Sequence, residues 1–226
     1  MVKIKICGIT NWTDARHSIE AGANFLGFNF YRGSSRYIRP TAAARIIKRL
    51  PRGIKAVGVF VNETEENILA IARVAGLHQI QMHGDESPRM VARVRRKFPV
   101  IKAVKVRGKL RASQLSAFAK ANALLFDAFD GSQFGGAGRT FDWRLIRSAG
   151  LIRKIFLAGG LTAENVQEAI RVAKPYAVDV CSGVEARPGK KDAHRIAAFM
   201  KAARAPKPAA KSVVKSGTKP RRKKQS

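Results

Sequence analysis

Apolar strand-like runs alternate with helix-like runs about every 25 residues along nearly the whole chain, and that alternation leaves few folds open. Strand-like runs are expected at Val2 to Ile6, Phe25 to Phe30, Ile54 to Val61 and Gln79 to His83. Four more follow at Val100 to Val106, Ala123 to Asp127, Lys154 to Ala158 and Tyr176 to Cys181. Between them lie segments with helix punctuation. Thr10, Asn11 and Asp14 precede a helix from about Trp12 to Ala21, and Pro40 opens one running to about Leu50. Thr64 to Asn67 begins a helix that Gly76 ends, Ser87-Pro88 opens one to about Phe98, and Ala112 to Ala121 is rich in alanine. The last helices follow Asp142, the cap-type run Thr162 to Asn165, and Asp192.

About eight strand-then-helix units, with no Asn-Gly type hairpin signal between apolar runs, point to a single (β/α)8 barrel, the TIM barrel architecture. An open doubly wound sheet is the alternative, but no G-x-G-x-x-G follows the first strand. The barrel is expected to occupy residues 1 to 204. Residues 205 to 226 turn to Ala, Lys, Pro and Ser, too little apolar area to offset ordering entropy, and are expected to form a disordered basic extension.

In such a barrel ligands collect at the carboxyl ends of the strands. The strand-end candidates are therefore Cys7, Asn29, Asn62, His83, Lys105, Asp127, the Gly159-Gly160 pair and Ser182-Gly183. Cys7 has two readings: a small buried apolar residue, as most free cysteines are, or a nucleophile or base. Asp127 follows Leu124-Leu125-Phe126 directly, where an unpaired carboxylate is costly, although Asp130 offers a second acid three residues on. His83 and Lys105 have plain readings as a strand cap and a solvated charge. Gly159-Gly160 and Ser182-Gly183 would present bare backbone amides to a phosphate at adjacent strand ends, or serve as turn glycines. Arg32, Arg36 and Arg39 follow the second strand, and a guanidinium there can hold a carboxylate through two parallel hydrogen bonds. The run Gly135 to Gly138 could close over a site.

Charge is the unusual bulk property. Lys and Arg number 44 against 15 acids, a formal net charge of +29, and removing the eight cations of the extension still leaves about +21. Such a balance suits a polyanion or a small phosphorylated metabolite equally, so nucleic-acid or acidic-surface contact through Lys207 to Lys224 stands as a second reading. That run lacks interleaved aromatics for base stacking. No apolar stretch approaches the roughly 20 residues that span a bilayer, and Met1-Val2-Lys3 leads straight into a strand, so neither membrane segment nor signal peptide is expected. Two cysteines without metal-type spacing lead to the expectation of a reduced, cytoplasmic protein.

Seven stretches, in order, carry a resemblance: Lys5-Ile6-Cys7-Gly8-Ile9-Thr10; Gly27-Phe28-Asn29-Phe30-Tyr31 with Ser34-Ser35-Arg36-Tyr37-Ile38; Val57 to Asn62; Gln79 to Gly84; Gly135 to Trp143; Ala158-Gly159-Gly160-Leu161; and Val178 to Glu185. Together they resemble phosphoribosylanthranilate isomerase of tryptophan biosynthesis, over everything but the extension. The resemblance implies a cofactor-independent, metal-free Amadori rearrangement of a small phosphorylated substrate. It also implies Cys7 as general base, Asp127 as general acid, Arg36 on the anthranilate carboxylate, His83 beside the substrate, and Gly159, Gly160, Ser182 and Gly183 around the phosphate. Cys181 stands where that family commonly has serine.

Overall fold

The computed structural model describes residues 1–106, 112–128, 142–144, 146 and 154–206. The expected Gly-rich loop, Asp130, the helix after Asp142 and the basic extension beyond Pro206 lie outside the described residues.

Eight parallel strands close into a barrel in chain order: β1 (Lys3–Ile6), β2 (Phe25–Asn29), β3 (Lys55–Phe60), β4 (Gln79–Met82), β5 (Val100–Val106), β6 (Ala123–Ala128), β7 (Lys154–Leu157) and β8 (Ala177–Val180). The described helices are α1 (Trp12–Glu20), α2 (Pro40–Ile47), α3 (Glu65–Ala75), α4 (Pro88–Arg95), α5 (Ala112–Ala117), α6 (Val166–Ala173) and α7 (Ala193–Arg204). The expected (β/α)8 barrel is thus what the chain forms. No helix among the described residues is long and apolar enough to cross a membrane.

Local chemistry sets the helix ends. Asn11, Thr64, Ser87 and Asp192 accept hydrogen bonds from the backbone amides of Asp14, Asn67, Met90 and Arg195, satisfying first-turn donors. Gly76 closes α3 at φ 71°, in the left-handed region where a side chain is costly. Three helices stop short of the expected ends at Leu50, Phe98 and Ala121. Their last turns tighten to amide bonds three residues back, as in Leu50 to Ile47, Lys97 to Val94 and Ala121 to Phe118. At α6 the expected cap run serves the loop instead: Asn165 Oδ1 accepts from the Thr162 amide and its Nδ2 donates to the Gly160 carbonyl.

Strand alternation divides the apolar residues between two cores. Ile4, Ile6, Leu26, Phe28, Ile80, Leu124, Phe126 and Val178 face the helices and pack with Phe199, Ile196 and Ile68. Phe25, Val57, Ile101, Leu125 and Phe156 fill the barrel lumen, with Phe25 and Phe156 edge to face at 5.3 Å. Each large side chain so buried contributes about 1.5–3 kcal/mol. Lys5 belongs to the lumen set. The lysines that alternate with Ile4 and Ile6 do not all face water, since Lys5 is completely buried.

One element was not expected from the sequence. After a 3₁₀ turn at Ser182–Val184, strands β9 (Glu185–Arg187) and β10 (Lys190–Lys191) form a short antiparallel hairpin. Its signal was Pro188-Gly189, with Gly189 at φ 80°. Buried Asp14 fastens the hairpin to α1 by accepting from the Lys191 amide at 2.8 Å and pairing with Lys190 Nζ at 2.7 Å.

Candidate active site

The carboxyl ends of the strands surround one cavity. Cys7, Asn29, His83, Asp127, Gly159, Gly160 and Ser182 line it as strand-end logic expected, together with Arg36 from the loop after β2. Gln81, Asp179 and Cys181 line it as well and were not singled out from the sequence as site residues. Three strand-end candidates, Asn62, Lys105 and Gly183, do not line it. Asn62, at φ 51°, accepts from the Asp85 amide through Oδ1 and so holds the loop after β4. Lys105 pairs with exposed Asp85 at 3.3 Å, on the cavity's outer rim.

Cys7 sits beside a lysine sealed inside the lumen. Lys5 Nζ donates to Asp179 Oδ1 at 3.0 Å and Oδ2 at 2.8 Å, and it hydrogen-bonds the Cys7 sulfur. Gly27 on β2 makes the space: a Cβ there would stand 2.7 Å from Cys7 Sγ and 3.1 Å from Lys5 Nζ. A hydrogen bond from Cys181 and the charges of Lys5 and Lys191 hold the Cys7 thiol well below its ordinary range, against the opposing effect of burial. The hydrogen bond with Cys7 and burial push Cys181 the other way. The two thiols thus shift in opposite directions, Cys7 toward the thiolate and Cys181 toward the thiol, whose Sγ lies 3.8 Å from Glu185 Oε1 as a donor. Burial works against the Lys5 ammonium, yet Asp179 and Cys7 raise its pKa above the ordinary lysine range, while burial pushes Asp179 up to about 7. The lysine charge is the firmer of the two, because it faces both an acid and a thiolate.

Asp127 is the penultimate residue of β6, with its side chain buried. His83 Nε2 lies 3.1 Å from Asp127 Oδ2, and Gln81 Nε2 lies 2.7 Å from His83 Nδ1. With the Gln81 amide donating to Nδ1, the ring proton resides on Nε2 and donates to Asp127. This leaves Asp127 Oδ1 for the cavity. His83 thus touches the candidate acid directly, a pairing that the spacing of 44 residues could not reveal.

Arg36 is anchored from below. Its Nε donates to Glu185 Oε1 at 3.1 Å and its Nη2 to Oε2 at 2.8 Å, so Glu185 engages two of its three nitrogens. Burial pushes Glu185 up, but Arg36 and Lys191, the latter at 2.9 Å, together lower it below its ordinary value. Glu185 begins the hairpin, so the unexpected element is what sets the guanidinium in place.

Gly159 and Gly160 both adopt positive φ, 85° and 60°, and line the cavity without side chains. Their amides donate to no acceptor among the described residues. Gly183 lies behind the lining rather than in it. A Cβ there would overlap the Leu161 carbonyl oxygen, so its glycine lets the loops after β7 and β8 touch. A further buried ion pair, Lys102 with Glu86 at 2.7 Å, ties down the loop after β4, with Lys102 Nζ also donating to the Gly84 carbonyl at 2.6 Å.

Comparison with known proteins places the chain in a family. Residues 4–202 match the family model described as N-(5'phosphoribosyl)anthranilate (PRA) isomerase. A relative from Pelobacter propionicus named N-(5'-phosphoribosyl)anthranilate isomerase is 47% identical over 204 residues, covering 90% of this chain and 96% of that protein. The crystal structure of phosphoribosyl anthranilate isomerase from Thermotoga maritima superposes with a TM-score of 0.83 at 44% identity, covering 90% of this chain and 98% of that one. A further isomerase structure, in complex with reduced 1-(o-carboxyphenylamino)-1-deoxyribulose 5-phosphate, matches with a TM-score of 0.80 at 43% identity, covering 90% and 98%. The resemblance read from the sequence is borne out: this chain belongs to the N-(5'-phosphoribosyl)anthranilate isomerase family.

Proposed function

We propose that this barrel converts N-(5'-phosphoribosyl)anthranilate to 1-(2-carboxyphenylamino)-1-deoxyribulose 5-phosphate, with Asp127 as general acid and Cys7 as general base. The observation that carries the assignment is that one cavity is lined by a carboxyl, a thiol with a lowered pKa, an arginine and a glycine pair. A substrate with a carboxylate at one end and a phosphate at the other spans such a cavity, its ribose between the two proton-transfer groups.

Asp127, protonated on Oδ1, donates to the ribose ring oxygen as the C1'–O bond breaks, and the aniline nitrogen supplies the electrons to form an iminium. Cys7 thiolate then takes the proton from C2', the electrons move onto the iminium to form an enolamine, and tautomerisation delivers the ketone. Each proton-transfer group is typically worth about 10² to 10⁴ in rate. The Cys181 hydrogen bond and the Lys5 charge favour the Cys7 thiolate, and the bound iminium adds to that. His83 holds Asp127 Oδ2, so the carboxyl presents its other oxygen. Arg36 takes the anthranilate carboxylate through Nη1, and Gly159, Gly160 and Ser182 take the phosphate. Two free thiols in the site fit a reducing compartment such as the cytoplasm.

The test is a direct fluorescence assay on phosphoribosylanthranilate. Cys7→Ala and Asp127→Asn should each abolish turnover while circular dichroism shows an intact barrel, and Arg36→Ala should mainly raise KM. Turnover near that of the unmodified chain in either of the first two variants would remove that residue from its role.

A further inference from the structure

We propose that Cys7 and Cys181 form a peroxide-reactive dithiol site, in which oxidation joins the two sulfurs in an intrachain disulfide across the mouth of the barrel. The proposal rests on backbone register. Lys3, Ile4, Lys5 and Ile6 of β1 pair in turn with Ala177, Val178, Asp179 and Val180 of β8, so one further step sets Cys7 opposite Cys181. The Cys7 amide donates to the Val180 carbonyl at 2.9 Å, which carries the pairing past the last ladder residue. Neighbouring strands lie about 4.7–4.9 Å apart, inside the roughly 4.4–6.8 Å that a disulfide spans between Cα atoms.

Both side chains line the same cavity, and both are half-buried free thiols. Two glycines leave the sulfurs room to turn. A Cβ at Gly27 would stand 2.7 Å from Cys7 Sγ, and one at Gly8 would stand 3.1 Å from Cys181 Sγ. Cations flank each sulfur: Lys5 bonds Cys7, and Lys191 Nζ is 3.7 Å from Cys181 Sγ. A thiolate with a second thiol within reach is the arrangement that converts a sulfenic acid to a disulfide instead of leaving it to overoxidise.

The chemistry balances with hydrogen peroxide as oxidant. Cys7 thiolate attacks one peroxide oxygen, the O–O bond breaks, hydroxide leaves, and Cys7 becomes a sulfenic acid. Cys181 sulfur then attacks Cys7 sulfur, the S–O bond breaks, and the departing hydroxyl takes the Cys181 proton as water. Two sulfurs lose two electrons in total and the peroxide is reduced to water. That the disulfide also silences the enzyme rests on Cys7 being the base, because a disulfide sulfur cannot accept the C2' proton.

The experiment treats the full chain with a slight excess of hydrogen peroxide and reads peptides under non-reducing conditions alongside isomerase activity. The expected result is a Cys7–Cys181 linked peptide lighter by two hydrogens than the separate thiol peptides, loss of both titratable thiols, and activity lowered at least about tenfold and restored by dithiothreitol. In Cys181→Ser, dimedone should label Cys7, no linked peptide should form, and prolonged exposure should cause loss that dithiothreitol does not reverse, each measured against the variant's own untreated activity. Oxidation of Cys7 in the unmodified chain without the linked peptide, or both thiols remaining titratable, would overturn the dithiol site whether or not the variant folds. A linked peptide with full activity would leave the dithiol site standing and remove Cys7 from its role as base.

Discussion

Lys5 Nζ lies 2.8 Å from Asp179 Oδ2 inside the barrel lumen, with the lysine completely removed from solvent. The pair sets a cation beside Cys7, where with the Cys181 hydrogen bond it lowers the thiol below its ordinary range. Burying two charges is expensive, and a direct contact with two hydrogen bonds offsets part of that cost. The remainder is what the site spends to keep a cation beside its base.

Removing Lys5 therefore separates electrostatics from packing. Lys5→Met should move the Cys7 pKa upward, since a cation favouring the thiolate is gone. The acid limb of the kcat/KM profile then moves to higher pH. Once that limb lies above neutrality, every further pH unit it climbs lowers the rate at neutral pH about tenfold. Asp179 is left without its partner, so denaturant unfolding should show a loss of about 3–5 kcal/mol. An acid limb at the unmodified position would mean that Lys5 does not tune Cys7.

Gly27 is a matter of space alone. In Gly27→Ala the new methyl would stand 2.7 Å from Cys7 Sγ, and backbone atoms on both strands leave the thiol as the group that moves. A displacement of about 1 Å can cost about 10² in rate, so kcat should fall by that order with stability changed much less. Steady-state kinetics and thermal unfolding on the same sample separate the two effects.

Glu185 acts through Arg36. Glu185→Ala releases Nε and Nη2 of Arg36 and leaves Lys191 without its carboxylate. The guanidinium then loses its fixed orientation, and KM should rise about tenfold or more while kcat changes less. A kcat loss at constant KM would place Glu185 in the proton-transfer chemistry instead of in substrate positioning.

Acid stability should report the hairpin anchor. Burial raises Asp14, but hydrogen bonds from Lys190, Lys191 and Asn11 outweigh it and lower its pKa from 3.8, and Glu185 is likewise lowered from 4.5. A carboxylate whose folded pKa lies below the unfolded one stabilises above the unfolded value and loses that contribution as pH falls through the folded one. Melting temperature should therefore drop as pH falls below about 4.5, and Asp14→Asn should show a shallower drop from a lower starting stability. An equal slope in both would show that the hairpin anchor does not titrate on unfolding.

The sequence determined the architecture, because period-2 runs, caps such as Asn11, Thr64, Ser87 and Asp192, and the Gly76 stop are local signals that each act within a few residues. It also marked Cys7, Asp127, His83, Arg36 and the glycine pairs as strand-end or loop residues. Which of these meet was decided only by closure of the barrel. Closure brings β8 against β1, and with it Asp179 to Lys5 and Cys181 to Cys7 across 174 residues of chain. Alternation showed that Lys5 and Ile6 face opposite ways, yet not that the lysine side is a sealed lumen instead of water. The hairpin that carries Glu185 to Arg36, and the Gln81 to His83 to Asp127 chain, likewise depend on long-range contacts. Such contacts leave no periodic trace in a sequence, because their cost and reward arise only when distant strand ends are packed together.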